Sequence, residues 1–169
     1  VQRMAAILQR LGVGQGDRVL IYMPMVPQAA FAMLACARIG ALHSVVFGGF
    51  AAGSLATRIS DAQPAAIVSA DAGSRGGKIV PYKPMLDEAL ALSGSAAQVL
   101  LVDRGLAPMS RMPGRDHDYA ALRDELAGAE VACAWVDATH ASYTLYTSGT
   151  TGKPKGCLLY TSDAADDSL

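Results

Sequence analysis

Residues 147–156 combine side chains and backbone that suit phosphate binding. The segment reads TSGTTGKPKG and contains three glycines, four hydroxyl side chains and two lysines. Glycine lets backbone N–H groups approach an oxyanion closely, hydroxyl groups add donors, and lysine offsets the charge of phosphate. Because these features follow an apolar segment directly, they indicate a binding loop for a polyphosphate, and ATP is the natural ligand.

Two other interpretations of this loop are weaker. A loop rich in glycine, serine and threonine can be a flexible connection, but the density of donors and cations favours phosphate binding. The loop is also not a Walker motif, because Pro154 stands where that motif has its Mg²⁺-binding Ser or Thr. Pro154 disfavours helix at Lys153, so the phosphates would not lie on a helix N-terminus, which argues against a motor or GTPase switch.

A second cationic segment is Arg75-Gly76-Gly77-Lys78. Two cations separated by a Gly-Gly turn can form a small cup for an anion. Without further context, a segment of this kind is more typical of a solvated basic turn.

The elements that would carry these segments alternate between strand and helix. The run RVLIYM at 18–23, followed by Pro24, is typical of a strand buried on both faces. The pattern predicts further strands over 41–47, 65–70, 98–102 and 142–146, and helices over 4–11, 27–39, 52–62, 84–93 and 119–126. Residues 107–118 are predicted to form a surface excursion. This alternation predicts an α/β fold with a mostly parallel sheet and flanking helices.

Composition limits the kind of protein. The 169 residues are 51% hydrophobic, which is ample for one buried core. A net charge of -1 without a dense Lys/Arg stripe argues against nucleic acid as a partner. The longest apolar stretch, 29–37, is far too short to span a bilayer, so no membrane partner is expected.

Cysteines and histidines form no pattern typical of metal or catalytic sites, so we predict no metal site and no catalytic side chain in this chain. The residues concerned are Cys36, Cys133 and Cys157, and His43, His117 and His140. The cysteines are interpreted as reduced thiols of a cytoplasmic protein. Met25, Phe31 and Met33 are assigned to core packing on a helix.

The segment from Tyr146 to Gly156 resembles the signature loop of the acyl-adenylate-forming superfamily, which includes acyl-CoA synthetases, luciferases and peptide-synthetase adenylation domains. The resemblance implies that a carboxylate attacks the ATP α-phosphorus to give acyl-AMP, after which CoA displaces AMP. It implies Mg²⁺ with the ATP, held by ligands outside this chain. The phosphate-binding residues it implies are Thr147, Ser148, Gly149, Thr150, Thr151, Gly152 and Lys153, together with Lys155 and Gly156.

Residues 18–50 are similar to the acetyl- and propionyl-CoA synthetase branch in particular. Arg75, Gly76, Gly77 and Lys78 look like the RGGK segment of that branch, which binds the CoA nucleotide end with its 3′-phosphate. Residues 71–74, 80–89 and 101–106 resemble propionyl-CoA synthetases more than acetyl-CoA synthetases. The resemblance therefore implies propionate as the acid, with acetate as the alternative, because the acyl pocket of this family lies largely after the phosphate loop.

Residues 1–156 are therefore predicted to be part of an N-terminal AMP-binding domain, truncated at both ends. Residues 157–169 depart from the family pattern and resemble an in-frame translation of a sequencing adapter, so we predict a non-native tail. The chain alone is expected to be inactive. The alternatives are a non-catalytic α/β module that binds nucleotide and a fragment that does not fold, since its sheet would expose edges and apolar faces.

Overall fold

The computed structural model describes residues 1–147 and 155–160. The helices of this part are α1 (Gln2–Arg10), α2 (Pro27–Ile39), α3 (Ala52–Ala62), α4 (Lys83–Ser93) and α5 (Tyr119–Glu125). Its strands are β1 (Arg18–Met23), β2 (Leu42–Phe47), β3 (Ala66–Ala70), β4 (Ala72–Arg75), β5 (Lys78–Pro81), β6 (Gln98–Val102), β7 (Asp116–Asp118), β8 (Ala141–Thr147) and β9 (Lys155–Tyr160).

Seven of these strands form one sheet in the order β7-β6-β3-β1-β2-β8-β9, and β4 pairs with β5 in a separate hairpin. Neighbours in the large sheet are parallel except β8 and β9, which are antiparallel. The predicted fold class, α/β with a mostly parallel sheet and flanking helices, is therefore confirmed.

The sheet changes its direction of growth at β1, which lies between β2 and β3. From β1 the chain passes through α2 to β2, and then through α3 to β3 on the other side of β1. In open parallel sheets, ligands bind beyond the carboxyl ends of the strands at such a switch point. The topology therefore places a candidate site beyond Met23 and Ala70, where β1 and β3 end.

Helices cover both faces of the central strands β1, β3 and β6, which explains why these strands are mostly apolar on both sides. Leu8 of α1 shares one buried cluster with Ile21 of β1. Leu55 of α3 and Leu86 of α4 share a second cluster with Leu20, the neighbour of Ile21. Successive strand residues thus face opposite layers, and each fully buried side chain of this size stabilises the fold by about 1.5–3 kcal/mol.

A buried ion-pair network joins α4 to β7. Lys83 Nζ lies 2.6 Å from Asp87 Oδ2 and 3.0 Å from Asp116 Oδ2, and Arg115 contacts both aspartates at 2.5 Å. Burial raises the pKa of Asp116, but hydrogen bonds from Arg115, the Met112 amide and Lys83 outweigh burial and leave this pKa lowered. The network fixes the short strand β7 at the edge of the sheet.

The predicted helices and strands all occur, with bounds shifted by no more than two residues. Strands β4, β5 and β7 were not predicted, because segments of three or four residues are too short to show a periodic pattern. β7 lies inside the predicted surface excursion. Strand β9 was not predicted either, and it spans the position after Gly156 where we predicted that the non-native tail begins. That boundary stays a prediction. Residues 161–169 of the predicted tail lie outside the described part of the chain.

The assignment of Met25 and Phe31 to core packing is wrong. Met25 precedes α2 and is fully exposed, while Phe31 is 36% exposed. Of the three assigned residues, only Met33 packs against the core. Since Pro27 occupies the first turn of α2, Met25 is not on the helix, and its spacing from the other two residues has no helical meaning.

Candidate functional site

A cavity of about 440 Å³ lies at the carboxyl edge of the sheet. Its walls come from the ends of β1 and β2, the turn after β2, the β4–β5 hairpin and the loop after β6. This is the position at which a doubly wound sheet binds its ligands. The lining combines apolar side chains, such as Val45 and Phe47, with the guanidinium groups of Arg75 and Arg104.

The predicted cationic segment 75–78 forms the tip of the β4–β5 hairpin. Arg75 and Lys78 are cross-strand partners, and φ is +57° at Gly76 and +78° at Gly77. Two successive positive φ angles are typical of a type I′ turn, which explains the two glycines. Arg75 lines the cavity, with its guanidinium carbon 5.5 Å from the centroid of the Phe47 ring. Gly76, Gly77 and Lys78 are not among the described residues that line it.

Tyr82 separates the hairpin from the turn after β2. A Cβ atom built on Gly48 or on Gly73 would collide with the Tyr82 hydroxyl. Glycine at both positions therefore allows the two backbones to approach the phenol from opposite sides. The Tyr82 ring also packs against Tyr22, with centroids 5.0 Å apart. Burial raises the pKa of Tyr82, and the nearby charge of Arg104 opposes this rise.

Arg104 was not predicted as a site residue, yet it lines the same cavity as Arg75. Its Nη1 donates to the carbonyl oxygen of Ala72 at 3.1 Å. A sequence signal was available, because Asp103, Arg104 and Gly105 directly follow a buried strand, and the carboxyl ends of parallel strands meet at one edge of the sheet.

The predicted phosphate loop lies between β8 and β9. Thr147 and Lys155 are cross-strand partners at its base, and Tyr146 pairs with Gly156. The other predicted phosphate-binding residues lie outside the described part of the chain; they are Ser148, Gly149, Thr150, Thr151, Gly152 and Lys153.

Strand β8 ends at the same edge of the sheet as the cavity. β8 runs parallel to β2, with Tyr143 paired with His43. Both strands end four residues after this pair, at Phe47 and Thr147. The base of the predicted phosphate loop and the turn that lines the cavity therefore occupy neighbouring positions along one edge.

Side chains from α3 hold the β8–β9 hairpin. The Tyr146 hydroxyl donates to Asp61 Oδ2 at 2.7 Å, and the guanidinium of Arg58 lies 5.5 Å from the centroid of the Tyr146 ring. Burial and the hydrogen bond to Asp61 raise the pKa of Tyr146, while burial lowers that of Arg58. A Cβ atom on Gly156 would lie 3.2 Å from the Tyr146 ring, so Gly156 allows close approach of β9.

Other potentially reactive groups lie apart from the cavity. Within residues 1–147 and 155–160, no group of three or more His, Cys, Asp or Glu residues could hold a metal ion. In the same ranges, no helix is both long enough and apolar enough to cross a membrane. Cys36, Cys133 and Cys157 are free thiols. His43 stacks on Tyr143, and burial lowers the pKa of its imidazole.

Several curated relatives match most of this chain. The chain is 60% identical to the propionate–CoA ligase of Escherichia coli over 157 residues, which are 92% of this chain and 25% of that protein. It is 54% identical to the acetyl-coenzyme A synthetase of Laribacter hongkongensis over 153 residues, which are 88% of this chain and 23% of that protein. The chain thus spans about a quarter of the length of these relatives.

Structure and family comparisons agree with these matches. The acetoacetyl-CoA synthetase of Streptomyces lividans superposes with a TM-score of 0.82 at 30% identity, over 95% of this chain and 24% of that enzyme. The model of the AMP-binding enzyme family matches residues 1–166. The chain therefore belongs to the AMP-binding enzyme family.

Proposed function

We propose that this chain is the N-terminal part of an ATP-dependent, AMP-forming acid–thiol ligase that joins a short-chain carboxylate to CoA through an acyl-adenylate. The observation that carries the proposal is the hairpin base formed by Thr147 and Lys155, beside the cavity that contains Arg75. Thr147 and Lys155 flank a segment rich in phosphate-binding groups, and β8 lies beside β2, whose end lines the cavity. We also propose that this enzyme is cytoplasmic.

In the first step, a carboxylate oxygen of the acid attacks the α-phosphorus of ATP, the α–β phosphoanhydride bond breaks, and pyrophosphate leaves. No protein nucleophile is needed for this displacement. The loop would hold the β- and γ-phosphates, so that the leaving group is in line and its developing charge meets fixed donors. The anchoring of Tyr146 by Asp61 supports such a role, because it fixes the strand that enters the loop.

In the second step, the CoA thiolate attacks the acyl carbon of the adenylate, the acyl–phosphate bond breaks, and AMP leaves. We assign the nucleotide end of CoA to the cavity at the carboxyl edge of the sheet. Arg75 would pair with phosphate there, while Phe47 provides an apolar surface beside its guanidinium. Mg²⁺ is expected to accompany ATP, but the described residues form no suitable ligand group, so no step is assigned to it.

We propose propionate as the acid. The higher identity to a propionate–CoA ligase, 60% against 54% for an acetyl-coenzyme A synthetase, supports this choice. Acetate is the alternative within the same mechanism.

The test is acid-dependent ATP–pyrophosphate exchange, followed by acyl-CoA formation, with the complete enzyme to which we assign this chain. We expect exchange with propionate, and a kcat/KM for propionate above that for acetate. A clearly higher value for acetate would reject propionate while keeping the enzyme class. ATP binding without exchange with either acid would reject the enzyme and favour a non-catalytic nucleotide-binding module.

A further inference from the structure

Arg75 and Arg104 give the cavity an uncompensated positive charge. No Asp or Glu occurs among the described residues that line it. Within the described part of the chain, neither arginine lies within 4.0 Å of a carboxylate oxygen, and the side-chain hydrogen bond of Arg104 goes to a backbone carbonyl. Two guanidinium groups facing one apolar cavity without a counter-ion are suited to an anionic ligand.

The backbone around Arg104 is fixed by several hydrogen bonds. The carboxylate of Asp103 accepts from the Gly105 amide at 2.9 Å, and φ of +68° at Gly105 turns the chain sharply. Oδ2 of the buried Asp71 accepts from the amides of Leu106 at 2.6 Å and Ala107 at 3.2 Å. The backbone bonds fix the main chain next to Arg104, and the bond from Nη1 to the Ala72 carbonyl fixes its guanidinium at the cavity.

The remaining nitrogens of Arg104 are available to a ligand. A guanidinium has five N–H donors, and Nη1 makes one bond to Ala72. The donors are spaced to match two oxygens of one phosphate group. The cavity volume of about 440 Å³ also lies within the range of small-molecule sites.

We infer that Arg104 is a phosphate-binding residue of this cavity, which acts with Arg75 on the nucleotide end of CoA. The inference rests on the proposed function, because that function supplies the ligand. CoA offers two sources of the same chemistry, the 3′-phosphate and the diphosphate. Arg104 and Arg75 approach the cavity from different elements, the loop after β6 and the β4–β5 hairpin, so they can contact one ligand from two sides.

The test is calorimetric titration of the complete enzyme, to which we assign this chain, with CoA and with dephospho-CoA. We expect Arg104→Gln to raise the Kd for CoA about tenfold, and Arg104→Lys to raise it less, because a lysine keeps the charge but loses the paired donors. Arg123→Gln, at an exposed ion pair on α5, is the matched control and leaves the Kd unchanged. Circular dichroism and the thermal unfolding midpoint of each variant establish that it is folded.

Each outcome decides the inference. Weaker binding of CoA by Arg104→Gln supports the inference. If Arg104 contacts the 3′-phosphate, the substitution does not change the Kd for dephospho-CoA; if it contacts the diphosphate, the substitution raises that Kd as well. Wild-type affinity in Arg104→Gln overturns the inference. Weakened binding in Arg75→Gln then keeps the assignment of CoA to this cavity, and wild-type affinity in both variants overturns that assignment but not the ligase activity. If the wild-type enzyme binds no CoA, the proposed function fails, and the inference fails with it.

Discussion

The carboxylate of Asp71 accepts a hydrogen bond from the backbone amide of Leu106 at 2.6 Å, and so ties the end of β3 to the loop after β6. The backbone carbonyl of Asp71 accepts a hydrogen bond from the amide of Tyr82 at 2.9 Å, and the amide of Asp71 donates to the carbonyl of Val102 at 3.1 Å. A single buried residue thus joins three of the segments that surround the cavity. The position of Arg104 depends on these bonds.

Replacement of Asp71 is therefore expected to loosen the fold at the cavity. Asp71→Ala leaves two amides without their acceptor, and we expect a loss of about 2 kcal/mol in the free energy of unfolding. Asp71→Asn keeps one acceptor oxygen and should cost less. Urea denaturation at pH 7 measures both. Asp124→Ala, which removes an exposed partner of Arg123, is the control and should change the midpoint little. An Asp71→Ala midpoint equal to that of the control would refute this account.

The buried ion-pair network predicts acid sensitivity. Because the pKa of Asp116 is lowered in the folded state, its contribution to stability is present above the unfolded pKa of about 3.9 and is lost as the pH falls through the lower folded value. Asp116→Asn removes a charge that Lys83 and Arg115 need, and should cost about 3 kcal/mol at pH 7. Thermal unfolding between pH 7 and pH 2 should show a smaller acid loss in the variant. Equal losses in both proteins would contradict the assignment.

The contact between Gly73 and Tyr82 predicts an energetic coupling. Gly73→Ala places a methyl group against the phenol, and we expect a cost of about 2 kcal/mol. In a Tyr82→Leu background the same substitution should cost about 1 kcal/mol less, because leucine lacks the hydroxyl and ring atoms that the methyl group would meet. Gly53→Ala is the control, because a Cβ atom there meets nothing within 4 Å. Additive effects of the two changes in urea denaturation would rule out the contact.

Thiol reactivity provides a direct test of packing. Cys36 is fully buried, and burial raises the pKa of its thiol to about 12, so the reactive thiolate is scarce at pH 8. Cys133 and Cys157 are exposed. We expect an aromatic disulfide reagent to label Cys133 and Cys157 quickly, and Cys36 only after unfolding in urea. Rapid labelling of Cys36 in the native chain, identified by peptide mass, would show that the cluster around α2 is not packed as described.

The strands and helices could be predicted because burial on two faces leaves a strong apolar pattern. The run 18–23 is one such case, and Pro27 and Gly40 mark the start and end of α2. The hairpin β4–β5 could not be predicted in the same way, since its strands are short and mostly exposed. What the sequence did indicate there was the Gly-Gly turn, and the structure places that turn at the hairpin tip.

The candidate site was predicted only in part, for a related reason. Glycines, hydroxyls and lysines close together in sequence are the signal for the proposed phosphate loop and for the segment 75–78. Arg104 lies 29 positions after Arg75, and only the parallel order of β3 and β6 brings the two to one cavity. The contact between Tyr82 and Gly48 could not be predicted either, because it depends on how the β4–β5 hairpin folds over the edge of the sheet.

The loop that begins at Thr147 can be tested directly by substitution of its donors. In the complete enzyme, we predict that changing Thr150, Thr151 and Lys153 together to alanine lowers propionate-dependent ATP–pyrophosphate exchange at least about 100-fold, since the donors that hold the leaving pyrophosphate are lost. Thr57→Ala, on an exposed position of α3, should exchange at the wild-type rate. Exchange and ATP affinity unchanged in the triple variant would contradict the claim that this loop binds the triphosphate.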